Sequence, residues 1–284
     1  MLLGMDSLLR IEMSDPGTTY RATRFDWTGV FERVTFDGKE FAGRWFDGDD
    51  PLKHDNLCGM SEEFLPLWLS DGRCLKIGVG ILDVPGGRDE YDQFRLYDIV
   101  RGGEFSVGKA DDMVRTTRHF MDGIYDYVKT VRIAGQNSFV IEHHIENIGK
   151  EALSTFCYNH NFLTFAMDTV GPGRRFDFPG AVSGHWREDS TPAAVMEGKS
   201  IVFKDMVERG RKAFCADLRY EGCDRGGYSF RASQGEMSVD VGSDAPMEYA
   251  VFWSNDRVAC VEPYVKIALA PGESFDWKIE YLFR

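Results

Sequence analysis

One histidine lies in a segment whose pattern favours a strand facing an apolar surface. His160 stands between two asparagines in "TFCYNHNFLTFA", residues 155–166, which is rich in β-branched and aromatic residues and contains no proline. Because successive strand side chains point to opposite faces, His160 shares a face with Tyr158 and Phe162. An imidazole in such a pocket can donate or accept a proton near neutral pH. A hydrogen-bonded core histidine fits the same pattern, so both interpretations are open at this point.

A late glutamate lies in a similar setting. In "VACVEPYVKIALAPGE" the alternation places Cys260, Glu262 and Tyr264 on one face. Pro263 either ends the strand or confines it to the edge of a sheet. A carboxyl group in apolar surroundings has its pKa raised by desolvation and can serve as a general base. If the strand were out of phase by one residue, Glu262 would instead face water. This stretch alone favours neither interpretation.

Other chemical motifs are weak or absent from the sequence. His143 and His144 are adjacent, so on a strand they point to opposite sides, and His143 fits an ordinary half-buried position. No third ligand stands at a familiar spacing, so we predict no metal site and no cofactor. The sequence contains neither a nucleophile elbow nor a P-loop. Among the tryptophans, Trp253 is the one we expect at a site, since aromatic rings form flat platforms for sugars.

The residue composition and the net charge exclude several classes of protein. The 284 residues include 46 acidic and 33 basic residues, giving a net charge of −13, which disfavours binding to nucleic acid. The six cysteines are scattered, which predicts reduced, mostly buried thiols. No apolar run approaches the roughly 20 residues of a membrane helix, and Asp6 interrupts the apolar start, so neither a membrane span nor a signal peptide is predicted. We therefore expect a cytoplasmic protein.

Turn signals recur at short intervals and separate segments of strand character. The stretch "YDYVKTVRIAGQNSFVIEHHIENIG" contains two alternating runs joined by a tight polar turn, which predicts a hairpin. Helical periodicity is weak, and no repeat or linker divides the chain. The sequence thus predicts an all-β protein, a large antiparallel β-sandwich formed by a single domain over residues 1–284.

The segments around His160 and Glu262 resemble a known family. The run "TFCYNHNF" resembles the Asn-His strand of the galactose mutarotase (aldose 1-epimerase) superfamily, and "VACVEPYVKIALAPGESF" is similar to its late glutamate strand, nearer to the hexose-6-phosphate mutarotase branch. The segments "YRATRFDWTGVFERVTFDGKEF" and "VIEHHIENIGKEALSTF" extend the similarity over nearly the whole chain. The resemblance implies a supersandwich fold and interconversion of sugar anomers without a cofactor, with His160 as acid and Glu262 as base.

The substrate remains open because the sequence departs from the family pattern. The stretch "GMSEEF" places Glu62 or Glu63 where galactose mutarotases carry a Gly-Arg pair, and "RGG" at Arg101 replaces a histidine-containing segment. We expect Glu63, Arg101, Arg118 and Trp253 to contact a small carbohydrate, either a neutral hexose or an acidic sugar bound through Arg101, Arg118 or Arg24. The alternatives are a non-catalytic sugar-binding protein of the same fold and a lyase or hydrolase module. We expect a monomer or a homodimer.

Overall fold

Nearly all regular structure in this protein is strand. The computed structural model describes residues 1–111, 113–166, 169–223 and 226–284. Within them there are 24 strands, and the only helix is a short 3₁₀ segment at Gly87–Glu90. Each strand pair is antiparallel.

The first twelve strands are β1 (Leu2–Leu3), β2 (Leu9–Ser14), β3 (Val30–Phe36), β4 (Lys39–Ala42), β5 (Gly59–Phe64), β6 (Leu67–Trp68), β7 (Cys74–Lys76), β8 (Gly80–Asp83), β9 (Asp98–Arg101), β10 (Glu104–Lys109), β11 (Val114–Met121) and β12 (Tyr125–Gly135). The remaining twelve are β13 (Ser138–Asn147), β14 (Leu153–Phe162), β15 (Arg174–Asp177), β16 (Val182–Trp186), β17 (Ala194–Glu197), β18 (Ser200–Phe203), β19 (Ala213–Tyr220), β20 (Gly227–Gln234), β21 (Met237–Pro246), β22 (Tyr249–Ser254), β23 (Ala259–Leu269) and β24 (Ser274–Phe283).

Two large sheets form the sandwich. The ten-stranded sheet has the order β10-β11-β12-β13-β24-β21-β20-β15-β18-β17, and the six-stranded sheet has the order β16-β19-β22-β23-β14-β5. Their inner faces meet in the main core, where the rings of Phe64 and Tyr127 lie 5.2 Å apart and those of Phe176 and Phe252 also lie 5.2 Å apart. Alternation explains the arrangement, because strand β12 buries every second side chain over most of its length. Two four-stranded sheets, β1-β2-β3-β4 and β6-β7-β8-β9, complete the fold.

The outer face of the six-stranded sheet is covered by a second apolar cluster. Residues from the segment that precedes β3 and the segment between β4 and β5, among them Phe25 and Trp45, pack there against Tyr158 and Phe162 of β14. The second half of strand β14, residues 157–162, is therefore buried on both faces, with its odd-numbered residues toward the main core and its even-numbered residues toward this outer cluster.

The structure confirms the fold class, an all-β antiparallel sandwich, and the hairpin formed by β12 and β13. All six cysteines are free and buried, as predicted. In the described residues no helix is long and apolar enough to cross a membrane. The single-domain organisation, the cytoplasmic location and the monomeric or homodimeric state stay predictions.

Candidate functional site

The ladder between strands β14 and β23 opens for a short stretch. Backbone pairing stops at Tyr158 opposite Tyr264, and a single bridge between Leu163 and Ala259 closes the gap in the same register. Pro263 lies at the edge of this opening, where its missing N–H removes one ladder hydrogen bond, while β23 continues on both sides of it. The opening lets side chains on the outer face of the two strands approach one another.

His160 and Glu262 face each other across this opening. Their Nε2 and Oε1 atoms are 3.1 Å apart, and the two residues are 4% and 5% exposed. On the opposite face of β14, Asn161 donates a hydrogen bond of 2.9 Å from its side-chain nitrogen to the backbone oxygen of Val261. This bond holds the two strands together where the backbone ladder is absent. The alternation predicted for both strands is thus observed, and the register brings the two residues together.

Burial controls the ionisation of the pair. Loss of hydration raises the pKa of Glu262 to about 8, although the positive charge of Arg24 opposes the rise. Loss of hydration also lowers the pKa of His160 well below its usual value, and Arg24 lowers it further. At neutral pH the pair therefore carries no net charge, with the carboxyl group of Glu262 protonated and the imidazole of His160 neutral, and Oε1 and Nε2 lie close enough for a proton to pass between them. Two such groups can exchange the roles of general acid and general base during a reaction.

The pair lies in a cavity of about 270 Å³ with aromatic walls. The ring of Phe162 stacks on His160 at 3.7 Å, and the ring of Trp253 meets His160 edge-on at 5.7 Å. Trp45 packs against both Phe162 and Trp253. Since ligand pockets for drug-sized molecules run from about 300 to 1,000 Å³, this volume suits a ligand the size of one sugar ring.

Arg24 is the cation nearest to the pair and is fixed by a buried network. Its Nε donates to Glu63 at 2.7 Å and its Nη2 donates to the Tyr158 hydroxyl at 2.9 Å. Lys76 donates to the other oxygen of Glu63 at 2.8 Å. Burial alone would raise the pKa of Glu63, but Lys76 and Arg24 lower it. Glu63 is therefore an ionised anchor, fully buried, that holds the Arg24 guanidinium at the cavity wall.

A second buried network anchors β14 from the core side. Asn159, the neighbour of His160, donates to Glu62 at 2.8 Å, and His143 lies 3.2 Å from the same Glu62 oxygen. Burial would raise the pKa of Glu62, but Lys129, which donates to it, and His143 lower the pKa to about 2. His143 is thus fully buried rather than half-buried as predicted. The network fixes the backbone on which His160 is placed.

Sequence reasoning missed the polar groups around the cavity mouth. His54 and Asp55 line it from the segment between β4 and β5, and each has a buried atom without a hydrogen-bond partner, Nδ1 and Oδ1 respectively. Arg187, which follows β16, and Lys212, which precedes β19, line it as well. These residues lie in loops or at their edges, where no periodic pattern marks them, so the sequence held no signal for their position.

The predicted site residues divide into two groups. His160, Glu262 and Trp253 line one cavity together with Arg24. Arg101 lines a different cleft and donates to the backbone oxygen of Asp122. Arg118 lies on β11 in the ten-stranded sheet. The structure does not bring these two arginines to the cavity.

Arg118 and Glu63 are both held by ion pairs. Arg118 is paired with Asp126 at 2.6 Å on the surface. Glu63 lies behind Arg24 and has no exposed area with which to contact a ligand. The expectation that Glu63, Arg101 and Arg118 contact the ligand therefore has no support from their positions.

The comparisons with known proteins show a common fold. No family model matches the sequence, and no curated protein matches it. A provisionally named aldose 1-epimerase from Escherichia coli K12 is similar with a TM-score of 0.58 at 16% identity, over 100% of this chain and 99% of that chain. A galactose mutarotase-like protein from Lactobacillus casei is similar with a TM-score of 0.58 at 10% identity, over 100% of this chain and 99% of that chain. An aldose epimerase homologue from Caenorhabditis elegans is similar with a TM-score of 0.57 at 11% identity, over 100% of this chain and 98% of that chain. The chain has the galactose mutarotase-like fold, as its resemblance to that superfamily implied.

Proposed function

We propose that this chain, folded as a galactose mutarotase-like sandwich, is an isomerase of the aldose 1-epimerase type that interconverts the α and β anomers of a hexose or hexose derivative. The observation that carries the proposal is the 3.1 Å contact between His160 and Glu262 in a cavity of sugar size. Fold alone does not define an activity, so the proposal depends on this pair.

The reaction needs two proton transfers at neighbouring oxygens. The proton of Glu262 first passes to His160, which leaves a carboxylate and an imidazolium. Glu262 then accepts the proton of the C1 hydroxyl while His160 delivers one to the ring oxygen, and the bond between C1 and the ring oxygen breaks. The C1 aldehyde then rotates, and the ring closes with the two proton transfers reversed. The shared proton of the pair is returned at the end of the cycle. Each positioned acid or base contributes roughly 10² to 10⁴ in rate.

The cavity lining favours a sugar that carries an acidic substituent. Three cationic residues, Arg24, Arg187 and Lys212, line it against two acidic ones, Asp55 and Glu262. Arg24 is paired with Glu63 and Arg187 with Asp189. Lys212 has no carboxylate partner among the described residues, so its charge is the one available to a ligand. In a protein of net charge −13 such a lining attracts an anionic ligand locally. A hexose phosphate or a hexuronic acid fits this pattern, and Trp253 and Trp45 provide apolar surfaces for the ring.

The test is to follow anomer exchange by NMR saturation transfer for glucose, galactose, their 6-phosphates and the hexuronic acids. His160→Asn and Glu262→Gln each remove one proton-transfer group while keeping similar volume, and each should slow exchange by roughly 10² or more. His185→Asn is the matched control, because the His185 side chain is 83% exposed on β16. Unchanged exchange in both site variants would refute the assignment.

The same samples distinguish the alternative of a non-catalytic sugar-binding protein. If the wild type binds a sugar, seen as a rise in its melting temperature, and does not accelerate exchange of that sugar, the chain is a binder. Binding without turnover needs no proton-transfer pair, whereas the buried pair at hydrogen-bonding distance favours the isomerase.

A further inference from the structure

Three side chains of different chemistry converge at the wall of the cavity. One ligand atom each from His160, Cys260 and Glu262 lies within 4.8 Å of the other two. We propose that these residues form a binding site for Zn²⁺, and that the bound ion blocks the acid–base pair. Binding of the ion is independent of the proposed function, whereas its inhibitory effect rests on it.

Strand geometry creates the ligand set. Cys260 and Glu262 are two residues apart on β23 and so share a face, and His160 lies across the open ladder. Glu262 Oε1 lies 3.1 Å from His160 Nε2 and 3.6 Å from Cys260 Sγ. Bonds from zinc to nitrogen, oxygen and sulfur are about 2.0 to 2.3 Å, so the ligand atoms of a tetrahedral site lie roughly 3 to 4 Å apart. Side-chain adjustments of about 1 Å bring the three atoms into that range.

The donor types select the ion. Imidazole nitrogen, thiolate sulfur and carboxylate oxygen together suit Zn²⁺, whereas Mg²⁺ and Ca²⁺ require six or more oxygen ligands. The carboxylate of Glu262 makes no ion pair with Arg24, because Arg24 is bound to Glu63. His160 and Glu262 line the cavity, which would give an ion access to the site and would leave room for a water as a fourth ligand.

A bound ion is incompatible with proton transfer. It would occupy the lone pair of His160 Nε2 and an oxygen of Glu262, the two atoms that exchange the proton in the proposed cycle. Zinc should therefore compete with the sugar, and a chelator should restore exchange.

The first experiment measures binding alone. Zinc chloride is titrated into metal-free protein and followed by isothermal calorimetry, with one ion expected per chain. Co²⁺ is then added as a spectroscopic probe, because a thiolate ligand gives an intense sulfur-to-cobalt absorption band in the near ultraviolet. Magnesium chloride should produce no heat at the same concentration. A wild-type protein that binds no zinc, or whose cobalt complex lacks the sulfur band, would overturn the proposal.

Two variants locate the site. Cys260→Ser keeps the shape and removes the thiolate, and it should weaken zinc binding at least tenfold and abolish the sulfur band. Cys157→Ser is the matched control, because Cys157 is a buried thiol on β14 that faces the main core instead. The control should bind zinc as the wild type does. Equal binding by Cys260→Ser, or equal loss in both variants, would contradict the site.

The inhibition experiment separates this inference from the proposed function. If the wild type catalyses anomer exchange, stoichiometric zinc should reduce the rate and EDTA should restore it. If the wild type has no such activity, the proposed function fails, and the calorimetric result still decides whether the zinc site exists.

Discussion

The neutral, protonated state of Glu262 in the folded protein can be tested through stability. Its folded pKa of about 8 lies above the value of 4.5 expected in the unfolded chain. Between these values the folded carboxyl keeps its proton and the unfolded one has lost it. Unfolding then releases a proton, so stability falls as pH rises, by about 1.4 kcal/mol per pH unit. The stabilisation that comes from keeping the Glu262 proton in the folded protein is complete below pH 4.5, and it is lost as the pH rises through about 8.

The perturbation is Glu262→Gln, which cannot titrate. We would measure the free energy of unfolding by urea denaturation for both proteins between pH 6.5 and 8. The folded His160 is neutral in this window, whereas a histidine of the unfolded chain is still partly protonated at pH 6.5. This contribution is common to the wild type and the variant, so it cancels in their difference. Relative to the variant, the wild type should lose slightly less than about 2 kcal/mol, because the slope of about 1.4 kcal/mol per pH unit holds over most of the window and halves at the folded pKa of about 8.

Glu248→Gln on the surface is the control, and its difference from the wild type should stay flat over the same range. A flat difference for Glu262→Gln as well would mean that the folded carboxyl is already ionised at pH 6.5. The reasoning that burial outweighs the attraction of Arg24 would then be wrong.

Three further predictions follow from the same site. The value of kcat/KM for anomer exchange should fall tenfold per pH unit above about pH 8, where Glu262 loses the shared proton, as measured by NMR across pH 6 to 10. Glu63→Gln should cost about 3 to 5 kcal/mol in urea unfolding, because it leaves Arg24 and Lys76 without their buried partner; a loss under about 1 kcal/mol would contradict the network. Lys212→Met should raise KM about fivefold for an acidic sugar and leave KM for the neutral hexose unchanged, with the difference shrinking in high salt.

The alternation of side chains along two strands was sufficient to predict part of the site. It placed His160 beside Tyr158 and Phe162, and one of its two open interpretations placed Glu262 beside Cys260 in apolar surroundings. The structure has both residues in these positions. A strand is reliable in this respect because its period of two is a local property of the backbone.

Three of the residues predicted from the departures from the family pattern or from their charge lie outside the cavity lining. Glu63 lies on a strand next to β14 and is buried behind Arg24, while Arg101 and Arg118 lie elsewhere in the fold. Their charges are visible in the sequence, but whether a charge faces a cavity, a partner or water depends on which elements pack around it. That is a property of long-range contacts, which one sequence does not contain.

Sequence by itself thus determined the strand class of the fold and the face of His160 on β14, and it made His160 and Glu262 candidates for proton exchange while leaving the orientation of Glu262 open. Tertiary structure alone decided that these strands are antiparallel neighbours in the register that sets His160 opposite Glu262, and that loops far apart in the chain bring Arg24, His54 and Lys212 to the same cavity. The physical reason is range, since alternation is encoded between neighbouring residues, whereas register and cavity walls arise only when distant segments bury their apolar faces against one another.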